Sequence, residues 1–369
     1  MATSLSHWSG SVVATLSLAL SGCTAGEDRS GSGSTPAPAT SASTSTAGDL
    51  AEVVDAVEQR LELYRGATHG FAVLVRVGDE KRILVSGVAD AAARRRVRRA
   101  DQFQVGSITK SLTSAAILTL VDDGELSLDD TVERWLPGQL RHGRKVTVEQ
   151  LLSHRSGLPD YWEFLDGEPQ SAWEPEAVLD LISARPLDFP PGTQSVYNNT
   201  NFFVLGLLAE KVADMSIEEL IEQRVRAPVG MPGTTLPLTY DLAVQGYAGS
   251  DEVGIPNSSL AWTAGGGVST IEDLDRFWTT LLAGKLVSQD LVDEMTRARG
   301  TIEEWGIDYG LGVMVDRGRC GTMVGHSGRI TGFSAESWTL LGQGRSAIVL
   351  GNDDESDRGR DIADLALCP

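Results

Sequence analysis

Cysteine is scarce: three residues in a chain of 369, at positions 23, 320 and 368. So few thiols exclude a thiolate zinc cluster and a small scaffold held together by many disulfides. Positive charge is also short, with Lys+Arg 31 against Asp+Glu 51 and a formal net charge of -20. A surface of that sign repels phosphate backbones and argues against a nucleic-acid partner. The apolar run at residues 12–20 (VVATLSLAL) is too short for the roughly 20 residues that a membrane-spanning helix needs. What remains is ample for a folded core: 41% of the residues are hydrophobic, which excludes a wholly disordered chain.

Residues 1–22 read as a signal segment. The run ends in Leu20-Ser21-Gly22-Cys23, which resembles the lipobox of bacterial lipoproteins. That resemblance implies cleavage before Cys23, a lipid on its sulfur, and an extracytoplasmic protein held at the membrane by that lipid. The alternative is a plain secretory segment with an incidental cysteine; residues 1–11 contain no Lys or Arg, unlike most signals. Residues 23–48 are mostly Ser, Thr, Gly, Ala and Pro, with almost nothing to bury, and read as a disordered linker. Residues 49–369 are the expected folded domain. In an oxidising compartment Cys320 and Cys368 are then expected to pair with each other.

Within that domain, residues 49–65 have one apolar helical face, formed by Leu50, Val53, Val54, Val57 and Leu61. Residues 70–77 and 82–89 read as two strands of a hairpin. A long helical region follows from about 107 to 295, with periodic segments at 107–122, 148–152, 201–212, 217–225 and 273–282. Strands return at 309–316, 322–324, 332–340 and 346–350, and residues 358–367 close the chain as a helix. Strands at both ends, with helices between them, predict an α+β fold: an antiparallel sheet flanked by helices, with an inserted helical subdomain.

Three short motifs carry chemistry. Ser107-Ile108-Thr109-Lys110 opens an apolar helix, and an i, i+3 pair shares one helical face. A serine hydroxyl needs a base, and a lysine can serve once burial lowers its pKa. Only Lys110 among the five lysines has a serine three residues earlier. Tyr197-Asn198-Asn199 precedes a second apolar helix; the phenol can relay protons, and the amide of Asn199 can hold a carbonyl or the lysine. His326-Ser327-Gly328 lies just after the strand expected at 322–324, with donors beside a glycine that permits close approach. Taken singly, each triplet also reads as a helix start, a capping turn or a surface turn.

In this order and spacing the three motifs resemble the serine β-lactamase and penicillin-binding-protein superfamily. The resemblance is to its branch of D-alanyl-D-alanine carboxypeptidases, class C β-lactamases and related esterases. Residues 151–161 (LLSHRSGLPDY), 191–193 (PGT), 264–270 (AGGGVST) and 309–312 (YGLG) add to it. It implies a β-lactamase/transpeptidase-like fold with its site between the sheet and the helical region. Ser107 would be the acylated nucleophile, Lys110 its base, and Tyr197 the proton relay to the leaving group. Asn199 would hold the substrate amide, and His326 and Ser327 would occupy the third motif beside Gly328. The backbone N–H groups of Ser107 and Arg329 would form the oxyanion hole. The His-Ser-Gly form resembles secreted carboxypeptidases, and Cys320 with Cys368 fits the same group.

The expected reaction is therefore serine acyl transfer followed by hydrolysis, first on peptidoglycan stem peptides ending in D-Ala-D-Ala. A β-lactam or a small ester is the alternative substrate, and a non-catalytic penicillin-binding lipoprotein is the alternative of another class. Such carboxypeptidases place an arginine before the third motif; here the candidates are Arg317, Arg319 and Arg329. His154 is expected to fix its loop. No metal or organic cofactor is implied.

Overall fold

The computed structural model describes residues 46–64, 69–165, 174–237, 241–253, 258–318, 320–354 and 356–369. Cys23 and most of the expected leader and linker lie outside them.

The hairpin strands β1 (Gly70–Val77) and β2 (Glu80–Asp90), and the short β3 (Arg95–Arg96), form one side of a nine-stranded antiparallel sheet. The other strands come from the end of the chain: β4 (Gly300–Ile302), β5 (Ile307–Tyr309), β6 (Met314–Gly318), β7 (Gly321–Ile330), β8 (Phe333–Leu340) and β9 (Arg345–Gly351). Their order is β3-β2-β1-β9-β8-β7-β6-β5-β4, so the first strand pairs with the last, with Phe71 opposite Gly351 and Val77 opposite Arg345.

The near-continuous apolar run of β1 is explained by burial on both faces. Phe71, Val73 and Val75 pack with Leu50, Val53 and Val57 of α1 (Thr46–Leu63) and with Ile362 and Ala366 of the last helix, Ser356–Leu367. Ala72 and Leu74 face the other way, onto Ile271 and Leu274 of the helix Ile271–Leu282.

Between β3 and β4 lies the helical region with its own apolar core. At its centre is α2 (Ile108–Asp122), in which every residue from Ile108 to Leu120 is buried. A helix apolar nearly all round must be surrounded, and most of its hydroxyls are satisfied by backbone oxygens: Ser111 bonds Gly312 at 2.8 Å and Thr113 bonds Thr263 at 2.9 Å, while Ser114 Oγ is buried without a hydrogen-bond partner among the described residues. A second buried helix, α3 (Thr200–Ala213), packs against α2.

Two boundaries differ from expectation. The apolar stretch at 309–316 is not one strand. At Gly310 a Cβ would lie 2.1 Å from the Met295 carbonyl, and at Gly312 (φ +76) one would lie 1.7 Å from Ser114 Oγ. The two glycines let the chain leave β5, touch α2 and re-enter as β6. The third motif is also not beyond a strand but inside one, because β8 pairs with β7 along its whole length, to Ile330 opposite Phe333.

Cys320, in the turn between β6 and β7, is disulfide-bonded to Cys368 with Cα atoms 5.8 Å apart. The bridge spans 48 residues. Loop-closure entropy for that span predicts a loss of about 2–4 kcal/mol on its removal. Melting of Cys320→Ser is therefore expected several degrees below the native chain, and an unchanged midpoint would show the bridge to be dispensable.

Candidate active site

Two backbones touch where α2 begins. Gly106 has φ +50, and a Cβ on it would lie 2.6 Å from the Arg329 nitrogen. On the other side, a Cβ on Gly328 would lie 2.0 Å from the Val105 carbonyl and 3.1 Å from the Ser107 nitrogen. Glycine is required at both positions for β7 to approach the turn that presents Ser107. Gly318 faces Gly321 across a two-residue turn, so odd-numbered residues of β7 exchange hydrogen bonds with β6. β6 reaches only to Gly325, so beyond it the N–H groups of Ser327 and Arg329 face an open edge. The open N–H of Arg329 and the N–H of Ser107 thus meet around one position, the arrangement that stabilises an oxyanion.

Lys110 is wholly buried, one helical turn after Ser107. Its Nζ lies 2.7 Å from the Ala264 carbonyl, 2.8 Å from Asn199 Oδ1 and 3.1 Å from Ser107 Oγ. Burial lowers its pKa to about 7, against the opposing pull of Asp160. A neutral amine has two N–H donors and one lone pair. Ala264 and Asn199 offer only acceptor oxygens and use both donors, so the lone pair is left for the one partner that can donate, the Ser107 hydroxyl.

Tyr197 covers this pair. Its ring centroid lies 4.7 Å from Lys110 Nζ, and its hydroxyl is near enough to Ser107 for that neighbour to act on the phenol's acidity. Burial raises the phenol pKa and outweighs the Ser107 contact, which lowers it, so the hydroxyl keeps its proton at neutral pH. Behind Tyr197 sits His154, in the left-handed region at φ +57, with ring centroids 4.4 Å apart. Its Nδ1 accepts from the Asn198 backbone N–H at 3.2 Å, so its role is to seat the Tyr197 segment as well as its own loop.

Asn199 stands at the start of α3. Its oxygen accepts from Lys110, while Asp160 Oδ2 accepts from its backbone N–H at 3.0 Å and from its side-chain nitrogen at 3.3 Å. The amide expected to hold substrate is thus first of all the group that orients the lysine. His326, expected to supply a donor beside Gly328, has its ring nitrogens engaged within the protein. Its Nδ1 donates to the Ser327 carbonyl at 2.5 Å, which leaves Nε2 to accept from the Tyr309 hydroxyl at 2.9 Å. Burial first and then nearby Lys110 lower its pKa to about 3. With both nitrogens engaged and the ring neutral, His326 positions the strand edge and carries no proton to substrate. Ser327 is half-buried, its Oγ 3.6 Å from Met314 Sδ, and Arg329 is exposed.

Three contributors escaped the sequence reading: Asp160, Tyr309 and the carbonyl of Ala264. Each falls inside a stretch that carried the family resemblance, but a carbonyl has no residue-type signature, and the two side chains act on other residues. Among the described residues no group of three or more His, Cys, Asp or Glu is placed to hold a metal ion.

The sequence profile of the Beta-lactamase family matches residues 26–367. This chain belongs to the Beta-lactamase family. Among relatives, it is 27% identical over 293 residues to a penicillin-binding protein of Bacillus subtilis (strain 168), covering 73% of this chain and 64% of that protein. It is 28% identical over 319 residues to a D-aminopeptidase of Cereibacter sphaeroides (strain ATCC 17023), covering 82% and 61%. The match thus spans less than two thirds of either relative. Among solved structures, a D-stereospecific amidohydrolase from Streptomyces sp. superposes with TM-score 0.76 at 30% identity, covering 85% of this chain and 98% of that one. This Beta-lactamase family member shares the antiparallel sheet and flanking helices of that structure.

Proposed function

We propose that this chain hydrolyses amide bonds in short peptides or amino-acid amides through an acyl-enzyme on Ser107. The single observation that carries this is the lone pair of Lys110, aimed at the Ser107 hydroxyl 3.1 Å away, on an amine with a pKa of about 7. Lys110 takes the serine proton as Ser107 attacks the carbonyl, and the N–H groups of Ser107 and Arg329 receive the oxyanion. The Tyr197 hydroxyl gives its proton to the leaving nitrogen and regains one from Lys110. Water then attacks the ester, with the same groups acting in reverse. The names of the relatives favour substrates with D-residues at the scissile bond.

A second reading, the D-alanyl-D-alanine carboxypeptidase, needs a cation for the terminal carboxylate. Arg317 is drawn 3.4 Å from Asp308, and Arg319 lies outside the described residues. Arg329 is exposed, shares its face of β7 with Ser327, and forms no ion pair among the described residues, which favours it for this task. On this reading Arg329→Gln lowers kcat/KM for a peptide ending in D-Ala-D-Ala roughly tenfold, but not for the C-terminal amide of the same peptide. Equal losses on both would remove Arg329 from carboxylate binding.

The test of acyl-enzyme formation is labelling by a fluorescent penicillin, compared with Ser107→Ala. Labelling of the native chain alone is expected; equal labelling, or none, would leave a fold without the chemistry. We also infer from the Leu-Ser-Gly-Cys segment that Cys23 carries a lipid, to be tested by loss of palmitate incorporation in Cys23→Ala.

A further inference from the structure

Beside the site lies a groove that the mechanism does not use. One wall is residues 193–197, the other the free edge of β4 and the turn after it, and the enclosed space is about 420 Å³. Gly300 brings the walls together, since a Cβ there would lie 2.8 Å from Ser195 Cβ. Tyr197 lines both the groove and the site, where its ring lies 4.7 Å from Lys110 Nζ, so the groove adjoins the serine–lysine pair.

Its charge is one-sided. Two arginines line it, but both are engaged: Arg155 lies 3.7 Å from Glu149 and also bonds the Gly192 carbonyl, and Arg299 pairs with Glu294. Glu303 and Glu304, exposed at the rim, have no ion-pair partner among the described residues. The unneutralised charge facing an incoming molecule is thus acidic. Its apolar surface is equally specific. Val196, 48% exposed, lines the groove beside Tyr197, and just outside the lining, next after Glu304, Trp305 is 39% exposed and packs its ring 4.8 Å from that of Tyr197. Large apolar groups left in water around a nucleophile mark a contact surface.

We propose that this groove is a substrate subsite for an alkylammonium group flanked by apolar surface. Glu303 and Glu304 receive the cation, and Trp305 and Val196 receive the adjoining hydrocarbon. The ammonium has two sources, the free amino terminus of the substrate or a lysine-like side chain, and a carboxylate in the same place is repelled. The inference rests on the acyl-enzyme reading and names the substrate that reading left open.

The test compares kcat/KM for matched chromogenic amides: D-phenylalanine p-nitroanilide with its N-acetyl and N-succinyl forms, and N-acetyl-D-lysine p-nitroanilide with the N-acetyl-norleucine analogue. The native chain is expected to prefer an ammonium form by about fivefold to tenfold, as a partly exposed charge contact allows. Preference within the first set identifies the amino terminus, and within the second the side chain. In the double variant Glu303→Gln/Glu304→Gln the preference falls towards unity, and in the native chain it weakens as salt rises. Because the readout is a ratio, partial misfolding, which scales both substrates alike, does not imitate the result. Trp305→Ala lowers the preference for phenylalanyl over alanyl amides several-fold. A ratio near one in the native chain, or a ratio unchanged in the double variant, overturns the subsite. Hydrolysis of p-nitrophenyl acetate separates the two failures: if it is present while the ratios are flat, only the subsite falls; if it is absent, the hydrolase reading falls and the subsite with it.

Discussion

Lys110→Met is expected to slow acylation of Ser107 by roughly a thousandfold, measured as the burst with a chromogenic ester or the rate of penicillin labelling. Methionine keeps the volume of the chain but has no lone pair for the serine proton, and it leaves Asn199 Oδ1 and the Ala264 carbonyl without their donor. The same lysine sets the pH dependence of the native chain. Below its pKa of about 7 the amine holds a proton and cannot accept another, so kcat/KM should rise with pH through that value and then level off. Asp160 favours the charged lysine, and so Asp160→Asn should move this limb to lower pH. A burst undiminished in Lys110→Met would assign the base to another group. A limb that stays in place in Asp160→Asn would disconnect it from this amine.

Gly328→Ala should be nearly as damaging, through geometry alone. The added methyl would sit 2.0 Å from the Val105 carbonyl and 3.1 Å from the Ser107 nitrogen, both backbone atoms that cannot swing aside. β7 must retreat from the start of α2, and the N–H of Arg329 retreats with it. A displacement on the order of 1 Å at a reacting centre costs about a hundredfold in rate, so kcat should fall by about that factor, with a lower melting temperature. Gly342→Ala is the comparison: Gly342, unlike Gly328, has positive φ, +73, and nothing lies within 4 Å of its added Cβ. That variant should keep its rate and lose only a little stability. Equal losses of rate in the two would mean that the contact with the start of α2 is not responsible.

The sheet and the serine–lysine pair were legible because each has a strong local signature. β1 is a near-continuous apolar run, and α2 combines helical periodicity with a Ser–Lys spacing that no other lysine repeats. The extent of β7 was not legible: residues 325–330 are mostly polar or glycine, weak strand formers, and they stay extended because β8 pairs with them. For the same reason the apolar content of 309–316 hid a break that only contacts with Met295 and Ser114 require. His326 was expected to offer a donor beside Gly328, whereas its ring nitrogens are engaged by the Ser327 carbonyl and by Tyr309, 17 positions earlier. Asp160 has no local signal of its own, because its contact with Asn199 is made across 39 positions.

The pairing of β1 with β9 bears on biogenesis. Emerging from a ribosome or a translocon, the amino-terminal hairpin can meet α1 and the helix Ile271–Leu282, but the other edge of β1 has no strand partner until Arg345–Gly351 has been delivered. The interior helices can gather around their own apolar centre meanwhile, but the sheet whose β7 edge carries the Arg329 N–H stays unfinished until that strand arrives. Premature termination even shortly before residue 345 would therefore yield a nucleophile-bearing helix with an incomplete platform beside it. Maturation of this molecule is gated by its final strand.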